Sequence, residues 1–352
     1  MKNISEVDKN FKVETKLGRD NIVFFNPRNK PFEIYGLMYE NGKYRRMPQA
    51  VGESVNEGVS VLYTNTAGGR IRFKTNSAYI AVVAKMDGLG KMPHFAFSGS
   101  IGFDIYVKEN EGQIYKGTFM PPVNIEDGYE SCIYFDTVKM REITINFPLY
   151  SNVNEVYIAL DEGSEIEKPE PYKNNKPVVF YGSSITQGGC ASRPGACYQG
   201  HLSRRFNIDY INLGFSGSAR GEDVMADYIK NLDMSLFVYD YDHNAPDVEH
   251  LRNTHEKMFK TIRQQNPDLP VIMLSRPVYL LKEDEVERRN IVETTYKNAV
   301  ANGDKNVFFL DGPQLMSLCK NEGTVDNCHP TDFGFASMAQ AIGDLIEKHN
   351  LV

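Results

Sequence analysis

The chain has 352 residues, of which 41% are hydrophobic and 24% are charged, as in an ordinary globular protein. This length exceeds one typical hydrophobic core, so two domains are expected. The formal net charge of −7 disfavours nucleic acid or an anionic membrane as a partner, because both prefer a basic face.

The first twenty residues, MKNISEVDKNFKVETKLGRD, are polar and hold no apolar core of a signal peptide. No run approaches the roughly 20 apolar residues of a membrane span. The five cysteines are Cys132, Cys190, Cys197, Cys319 and Cys328. An odd number favours a reduced, cytoplasmic setting over a disulfide framework. A secreted chain that had lost its signal would look the same, and a Cys190–Cys197 disulfide is the pairing to expect there.

The first half of the chain alternates apolar and polar residues, from Phe32 to about Leu160. Turn signals such as AGG, ENEG and NVN separate its β-rich runs, which are VSVLYT, RIRFKT, AYIAVVAK, FDIYVKE, CIYFDT, EITINF and EVYIAL. Residues 1–165 are therefore predicted to form an antiparallel β-sandwich, jelly-roll-like and without helices. Residues 166–176 are acidic, contain proline and lack hydrophobic periodicity, so they are the predicted linker.

Residues 177–352 change to an alternation of strands and helices. The predicted strands are VVFYG, YINLG, SLFVYDY, PVIMLSRP and NVFFLDG. The predicted helices are ACYQGHLSRRF, EDVMADYIKNL, Asp247 to about Gln265, EDEVERRNIVETTYKNAVAN, and Asp332 to about His349. This pattern predicts a three-layer α/β domain with a flavodoxin-like parallel sheet of order 2-1-3-4-5. Ligands bind such sheets at the carboxyl ends of the strands, so the loops there are the functional candidates.

The first of these loops, GSSITQGG, places two serines ahead of a helix. A Walker-type phosphate loop would need a lysine that is missing here, whereas a flavodoxin-type phosphate loop remains compatible. The second and third loops hold Gly217 and Asn244. The fifth holds Asp326 and His329, spaced so that the carboxylate can accept from Nδ1 and leave Nε2 as a base. Together these loops supply the nucleophile, oxyanion donors, base and orienting acid of acyl transfer.

With the four loops in this order, the sequence resembles the SGNH hydrolase superfamily, the GDSL-type esterases, over about residues 176–352. The segment GSSI resembles the Gly-Asp-Ser-Leu block and puts Ser184 in the nucleophile's place. Gly217 and Asn244 match the glycine and the asparagine of the next blocks. The segment DNCHP, which holds Asp326 and His329, matches the last block.

Two positions depart from the family pattern. Ser183 stands where relatives carry aspartate, and residues 242–245 read DHNA where the family usually has Gly-x-Asn-Asp. Both departures speak against borrowing a substrate from the lipases of this family. The segment GFDIYV, Gly102 to Val107, resembles the Gly-x-Asp-Leu-Tyr stretch of a small β domain that precedes some SGNH hydrolases. That resemblance implies a two-domain subfamily whose relatives include carbohydrate and aryl esterases.

The resemblance implies a serine esterase that needs no cofactor. Ser184 is the expected nucleophile, His329 the base and Asp326 the acid that stabilises the imidazolium. The oxyanion is expected to accept from the backbone N–H groups of Ser184 and Gly217 and from the Asn244 side chain. The expected substrate is a small-molecule or glycan ester with a short acyl group, acetyl in particular, because the sequence shows no long apolar channel.

The residues leave several alternatives open. Ser183 could replace Ser184 as the nucleophile, and His243 could replace His329 as the base. The orienting acid could instead be Asp332 or Asp311. An acyltransferase would use the same residues, and a non-catalytic flavin- or phosphate-binding module would use the same sheet.

Further residues of these loops are candidates for substrate binding: Arg193, Arg220, Cys190 and His243. The segment Gly90 to Ser100 of the β half could also reach the site, with His94. No metal site is predicted, because the chain has no Cys-x-x-Cys pair and its spacings fit no common zinc pattern.

Overall fold

The computed structural model describes residues 17–18 and 21–352. Residues 1–16, 19 and 20, at the start of the predicted N-terminal domain, lie outside the described residues. In chain order, the strands of the N-terminal half are β1 (Ile22–Phe25), β2 (Glu33–Tyr35), β3 (Met38–Glu40), β4 (Lys43–Arg45), β5 (Arg70–Thr75), β6 (Tyr79–Asp87), β7 (Phe103–Glu109), β8 (Gly112–Phe119), β9 (Gly128–Tyr134), β10 (Arg141–Asn146), β11 (Asn152–Asp161) and β12 (Ile166–Glu167).

Ten of these strands form two antiparallel sheets packed face to face, which confirms the predicted sandwich, while β3 and β4 pair only with each other. One sheet has the order β1-β11-β6-β9, and the other has the order β12-β5-β10-β7-β8 with β2 beside β5. The residues that alternate along the strands fill the core between the sheets, for example Ile71, Phe73, Ile143 and Ile145. Strand alternation therefore marks the inner face, as the period-two pattern predicts.

The N-terminal half also contains helices, which corrects the prediction that it has none. They are α1 (Gln49–Val55), α2 (Glu57–Leu62) and α3 (Phe97–Ser100). The run VSVLYT, predicted as a strand, instead lies largely in α2. Its apolar residues do not face the sandwich: Val59 and Tyr63 join the core of the α/β half. The helices α1 and α2 are too short to show a clear hydrophobic periodicity in the sequence. Packing against a distant part of the chain therefore decides their conformation.

The C-terminal half has the predicted three-layer α/β architecture. Its strands are β13 (Val178–Gly182), β14 (Tyr210–Gly214), β15 (Leu236–Asp240), β16 (Val271–Leu274) and β17 (Val307–Leu310). Its helices are α4 (Ser184–Gln187), α5 (Tyr198–Phe206), α6 (Asp223–Lys230), α7 (Val248–Gln265), α8 (Glu283–Ala301), α9 (Gly312–Leu315) and α10 (Asp332–His349). All five strands are parallel in the order β14-β13-β15-β16-β17, which is the predicted 2-1-3-4-5.

Alternate residues of the interior strand β13 face opposite helical layers. Val179 and Tyr181 pack in the core that includes side chains of α6 and α7. Val178 and Phe180 pack in the core that includes side chains of α5 and α10. A strand buried on both faces is expected to be continuously apolar, and VVFYG is.

The two halves meet through buried polar contacts as well as apolar ones. The Arg46 guanidinium is buried and donates to the carbonyl oxygens of Leu62 and of Asn212 in β14. Arg70 forms an ion pair with Asp209 and donates to the Tyr210 carbonyl oxygen at 3.0 Å. Buried cations retain their charge only when such partners replace water, so these arginines fix the sandwich against the sheet's second strand.

Another contact joins the sandwich to the loop that follows α4. The buried Asp104 carboxylate accepts from the Gly195 backbone N–H at 2.8 Å and from Asn146 Nδ2 at 2.6 Å. Asp104 is the aspartate of the GFDIYV stretch.

The predicted linker begins with β12, Ile166–Glu167, which still pairs with β5 of the sandwich. Within the described residues, no helix is both long and apolar enough to cross a bilayer.

Asp104→Asn is expected to destabilise the protein by about 1–3 kcal/mol. The substituted amide has one acceptor oxygen and two N–H donors, so it cannot accept from both Gly195 and Asn146 as the carboxylate does. Chemical denaturation at neutral pH measures the change. Asp136→Asn, at an exposed position of the same half, is the matched control and should leave stability unchanged within about 0.5 kcal/mol. Equal stability of the two variants would contradict this account of the interface.

Candidate active site

The turn between β13 and α4 presents Ser184 at the carboxyl edge of the parallel sheet. Ser184 is the first residue of α4, and its side chain is largely buried. Its hydroxyl lies 2.9 Å from His329 Nε2. The turn is tight because Gly214 on the neighbouring strand lies against it: a Cβ at Gly214 would come within 2.1 Å of the Gln187 nitrogen. Glycine at this position thus allows α4 to approach β14.

Ser183 has a different position from its neighbour. Its side chain is fully buried and accepts from the Ile185 N–H at 3.1 Å, which caps α4. The hydroxyl also lies 3.3 Å from Asp240 Oδ1. The structure therefore turns Ser183 toward the end of β15 and leaves Ser184 facing the histidine.

The carboxylate of Asp240 lies beneath this turn at the end of β15. Oδ1 accepts from Thr186 Oγ1 at 2.8 Å and from the Ser183 N–H at 3.3 Å, while Oδ2 is buried without a protein partner among the described residues. Burial raises the pKa of Asp240 to about 6, and the attraction of the nearby His243 together with the hydrogen bonds of Thr186 and Ser183 only partly offsets that effect.

His329 and Asp326 lie on one compact turn before α10. His329 Nδ1 donates to Asp326 Oδ2 at 2.8 Å, and the His329 N–H donates to Asp326 Oδ1 at 2.7 Å. The Val325 N–H closes the turn onto the His329 carbonyl oxygen at 2.9 Å. Burial raises the pKa of Asp326, but the hydrogen bonds from His329 outweigh it and hold that pKa below the usual range. The ionised carboxylate therefore keeps the Nδ1–H tautomer and leaves Nε2 to accept from Ser184.

The other candidate acids have partners of their own. Asp332 accepts from the Ser192 N–H at 2.7 Å and from the Ser192 hydroxyl at 2.5 Å. Asp311 caps α9 by accepting from the Gln314 N–H at 3.1 Å. The structure brings Asp326, and neither of these two, into contact with the His329 ring.

Gly217 and Asn244 lie on two loops that are linked by a hydrogen bond to Phe215, which is itself bonded to the strand end before Ser184. The Phe215 N–H donates to the Gly182 carbonyl oxygen at 2.7 Å, which sets the loop after β14 next to the serine turn. Asn244 Nδ2 donates to the Phe215 carbonyl oxygen at 3.1 Å, so this side chain lies against the same loop. Gly217 has φ +65°, a left-handed conformation that glycine adopts without strain. The hydrogen bonds found among the described residues do not use the N–H of Gly217 or of Ser184.

The sandwich contributes residues to this site that the sequence analysis missed. Tyr150 donates its hydroxyl to the Ser184 carbonyl oxygen at 3.1 Å. The buried Gln187 of α4 donates to Asn65 Oδ1 at 3.0 Å and accepts from the Ser216 N–H at 3.1 Å. One side chain therefore links the sandwich, the serine helix and the loop of Gly217. Neither Tyr150 nor Asn65 lies in a local motif that could have identified it.

His94 and Cys190 lie beside the His329 ring. His94 is exposed, and its ring centroid is 5.6 Å from that of His329, so the segment Gly90 to Ser100 does reach the site. Cys190 is partly buried, in a left-handed conformation with φ +75°. Burial, assisted by the nearby Asp326 carboxylate, raises the pKa of the Cys190 thiol to about 12. Cys190 and Cys197 are both free thiols in this structure.

The three polar candidates for substrate binding have different surroundings. Arg193 lies over the Tyr115 ring, 3.5 Å from Asp332 and 3.9 Å from Asp104, and so joins the two halves of the molecule. Arg220 is exposed on the Gly217 loop. His243 directs Nδ1 toward Asp242 at 3.3 Å, and its buried Nε2 has no protein partner among the described residues. Among the described residues, none of the three is hydrogen-bonded to Ser184 or to His329.

Comparison with protein families identifies both halves of the chain. Residues 175–347 match the GDSL-like lipase/acylhydrolase family. Residues 22–166 match the family described as the N-terminus of SGNH-hydrolase-type esterases, named for its GxDLY motif. No curated protein matches the sequence.

Solved structures resemble the whole two-domain chain. A Bacteroides ovatus protein assigned as a GDSL-like lipase has a TM-score of 0.83 and 27% identity, covering 93% of this chain and 98% of its own. The salicylyl-acyltransferase SsfX3 from a tetracycline biosynthetic pathway has a TM-score of 0.77 and 18% identity, covering 95% and 99%. A family two carbohydrate esterase from Clostridium thermocellum, in complex with cellohexaose, has a TM-score of 0.59 and 14% identity, covering 82% and 94%.

Asp240→Asn is expected to change how stability depends on pH. In the unfolded chain this carboxyl titrates near 3.8, and in the folded protein near 6. Between about pH 4 and pH 6 the folded state therefore binds the extra proton, so the wild type loses stability, relative to the variant, as the pH rises. The relative loss should total roughly 3 kcal/mol by pH 7.

Denaturation of both proteins at about pH 4.5 and pH 7 gives this difference, and titratable groups that do not interact with Asp240 cancel in it. Asp268→Asn, at an exposed position, is the control and should show no such pH-dependent difference from the wild type. A difference between wild type and Asp240→Asn that stays constant with pH would contradict the raised pKa.

Proposed function

The chain belongs to the SGNH-type esterases of the GDSL-like lipase/acylhydrolase family, and we propose that it hydrolyses a short acyl ester, acetyl in particular, on a carbohydrate. The observation that carries this proposal is the continuous hydrogen-bonded chain from Ser184 Oγ to His329 Nε2 and from His329 Nδ1 to Asp326. In this order, hydroxyl, imidazole and carboxylate form an activated nucleophile.

In the first half of the reaction, Ser184 Oγ attacks the acyl carbon while its proton passes to His329 Nε2. Asp326 stabilises the resulting imidazolium through the 2.8 Å hydrogen bond to Nδ1 and does not itself become protonated. The carbonyl oxygen becomes an oxyanion. His329 then gives its proton to the leaving alcohol oxygen, the ester bond breaks, and an acyl-Ser184 intermediate remains.

The oxyanion is assigned to the backbone N–H groups of Ser184 and Gly217 and to the Asn244 amide. Support comes from the hydrogen bonds of Phe215 with Gly182 and Asn244, which link the later loops to the serine turn. The described residues also supply no acceptor for the backbone N–H groups of Ser184 and Gly217. Donors fixed in advance stabilise developing charge without reorganisation, and each contributes about 3 kcal/mol in the transition state.

In the second half, a water molecule attacks the acyl carbon, and His329 accepts one of its protons. Collapse of the second tetrahedral intermediate returns the proton from His329 Nε2 to Ser184 Oγ and releases the carboxylic acid. A side chain in place of Gly189 would crowd these two residues, because a Cβ there would come within 3.3 Å of His329 Cδ2 and 3.0 Å of the Ser184 carbonyl oxygen.

The proposed substrate class has support from the sandwich-bearing relatives. One solved relative of this fold is a carbohydrate esterase bound to cellohexaose, and another is described as an acetyl xylan esterase from Butyrivibrio proteoclasticus. The second candidate is acyl transfer, for which the salicylyl-acyltransferase of similar fold gives a precedent. Transfer requires an alcohol acceptor that outcompetes water for the same acyl-Ser184 intermediate.

Ser184→Ala should abolish esterase activity, with a fall in kcat of at least about 10³-fold on p-nitrophenyl acetate. A phosphonate probe for serine hydrolases, followed by peptide mass mapping, should label Ser184 in the wild type. Ser183→Ala is the matched control: it loses only the cap of α4 and the contact with Asp240, so it should remain labelled.

Product analysis in the same assays separates the two candidate functions. Acetylated oligosaccharides should release acetate, and adding an alcohol should leave acetate as the main product of an esterase. Predominant transfer to the alcohol would establish the acyltransferase instead. Label on Ser183, or full activity of Ser184→Ala, would overturn the assignment of the nucleophile.

Asn244→Ala should lower kcat by about 10²–10³-fold with little change in KM, because the lost amide acts on the oxyanion of the transition state. Asn253→Ala, an exposed position on α7, is the control and should retain wild-type kcat. Stopped-flow turnover of p-nitrophenyl acetate measures both parameters. A variant that loses thermal stability but keeps its kcat would show that Asn244 only holds the Phe215 loop.

A further inference from the structure

Three side chains with metal-binding atoms converge beside Ser184. One ligand atom each from His94, Cys190 and His329 lies within 4.8 Å of the other two. The three come from different parts of the fold: His94 from the sandwich, Cys190 from the loop after α4, and His329 from the turn before α10. Two imidazoles and a thiolate form a ligand set that suits Zn²⁺ and related borderline cations.

The separations are close to what such a cation requires. Tetrahedral Zn²⁺ with bonds of about 2.0–2.3 Å spaces its ligand atoms roughly 3.3–3.8 Å apart. Closing from within 4.8 Å therefore shortens each separation by at most about 1.0–1.5 Å. His94 is exposed, so its side chain can supply that movement, while Cys190 and His329 are partly buried and held by their turns.

The histidine is already oriented for coordination. His329 Nδ1 donates to the Asp326 carboxylate at 2.8 Å, so the lone pair of Nε2 points away from that carboxylate. A carboxylate hydrogen-bonded to the far nitrogen of a histidine is the common outer support of a metal ligand, because it fixes the tautomer and raises the basicity of the ligating nitrogen.

We propose that His94, Cys190 and His329 bind a divalent cation of the Zn²⁺ class and that the bound cation reversibly inhibits the enzyme. The Cys190 thiol releases its proton to solvent as the metal–sulfur bond forms. The cation occupies the Nε2 lone pair that would otherwise accept the Ser184 proton, so coordination and general-base catalysis exclude each other. The inhibitory part rests on the proposed function, whereas the binding part does not.

Binding is tested without any assay of activity. Co²⁺ added to the purified full-length protein should give the near-ultraviolet charge-transfer absorption of a cobalt–thiolate bond, and Zn²⁺ should displace it. Cys190→Ser should abolish that absorption, whereas Cys132→Ser, in β9 of the sandwich, should retain it. Absence of the band in the wild type, or its persistence in Cys190→Ser, would overturn the site.

Inhibition is tested by titrating Zn²⁺ into p-nitrophenyl acetate assays and then adding EDTA. Wild-type activity should fall toward zero and recover with the chelator. His94→Gln should raise the half-inhibitory Zn²⁺ concentration at least about tenfold, each protein being compared with its own metal-free rate. His349→Gln, an exposed histidine of α10, should behave as the wild type.

The outcomes separate the two proposals. Cobalt binding together with unimpaired activity at saturating Zn²⁺ would overturn the inhibitory role. Cobalt binding in a protein that hydrolyses no ester, even after treatment with EDTA, would overturn the proposed function and leave the metal site standing. An equal response of His94→Gln and His349→Gln to Zn²⁺ would remove His94 from the site.

Discussion

The short turn that joins β13 to α4 depends on one buried carboxylate. Asp240 Oδ1 accepts from the Ser183 N–H, the Ser183 hydroxyl and the Thr186 hydroxyl, so the turn is fixed from below. Burying this carboxylate is unfavourable, which raises its pKa to about 6. This contact fixes the orientation of the two serines. The polar groups of Ser183 bind Asp240 on the inner side of the turn, and Ser184 faces His329.

The sandwich takes part in this arrangement and is not merely attached to it. Tyr150 holds the Ser184 carbonyl oxygen, and Asn65 holds Gln187, whose oxygen in turn accepts from the loop of Gly217. Asp104 fixes the loop after α4 by accepting from the Gly195 N–H. The GFDIYV stretch therefore holds a loop of the α/β half, which gives a physical reason for finding it beside a domain of this family.

Local pattern predicted the α/β half well because its strands and long helices are buried along faces that their own periodicity defines. The grouping of the loops at one edge of the sheet was also predicted, because parallel strands end at a common edge. The helices α1 and α2 were missed because Val59 and its neighbours pack in the core of the other half, a contact between residues far apart in sequence. Tyr150 and Asn65 could not be found for the same reason. The residues alone left both Ser183 and Ser184 open as the nucleophile. The contact that distinguishes them is the one between Ser183 and Asp240, which lies more than fifty residues away.

A single orientation of His329 has two chemical consequences. The Asp326 carboxylate holds Nδ1–H and thereby leaves Nε2 as a lone pair, which is what a general base requires and also what a metal ligand requires. Ser184 competes for that lone pair from one side, at 2.9 Å. His94 and Cys190 lie close enough to share a cation with it. Because the sandwich supplies His94 as well as Tyr150, the docking of the two halves that holds the Ser184 turn also brings the third proposed metal ligand beside His329.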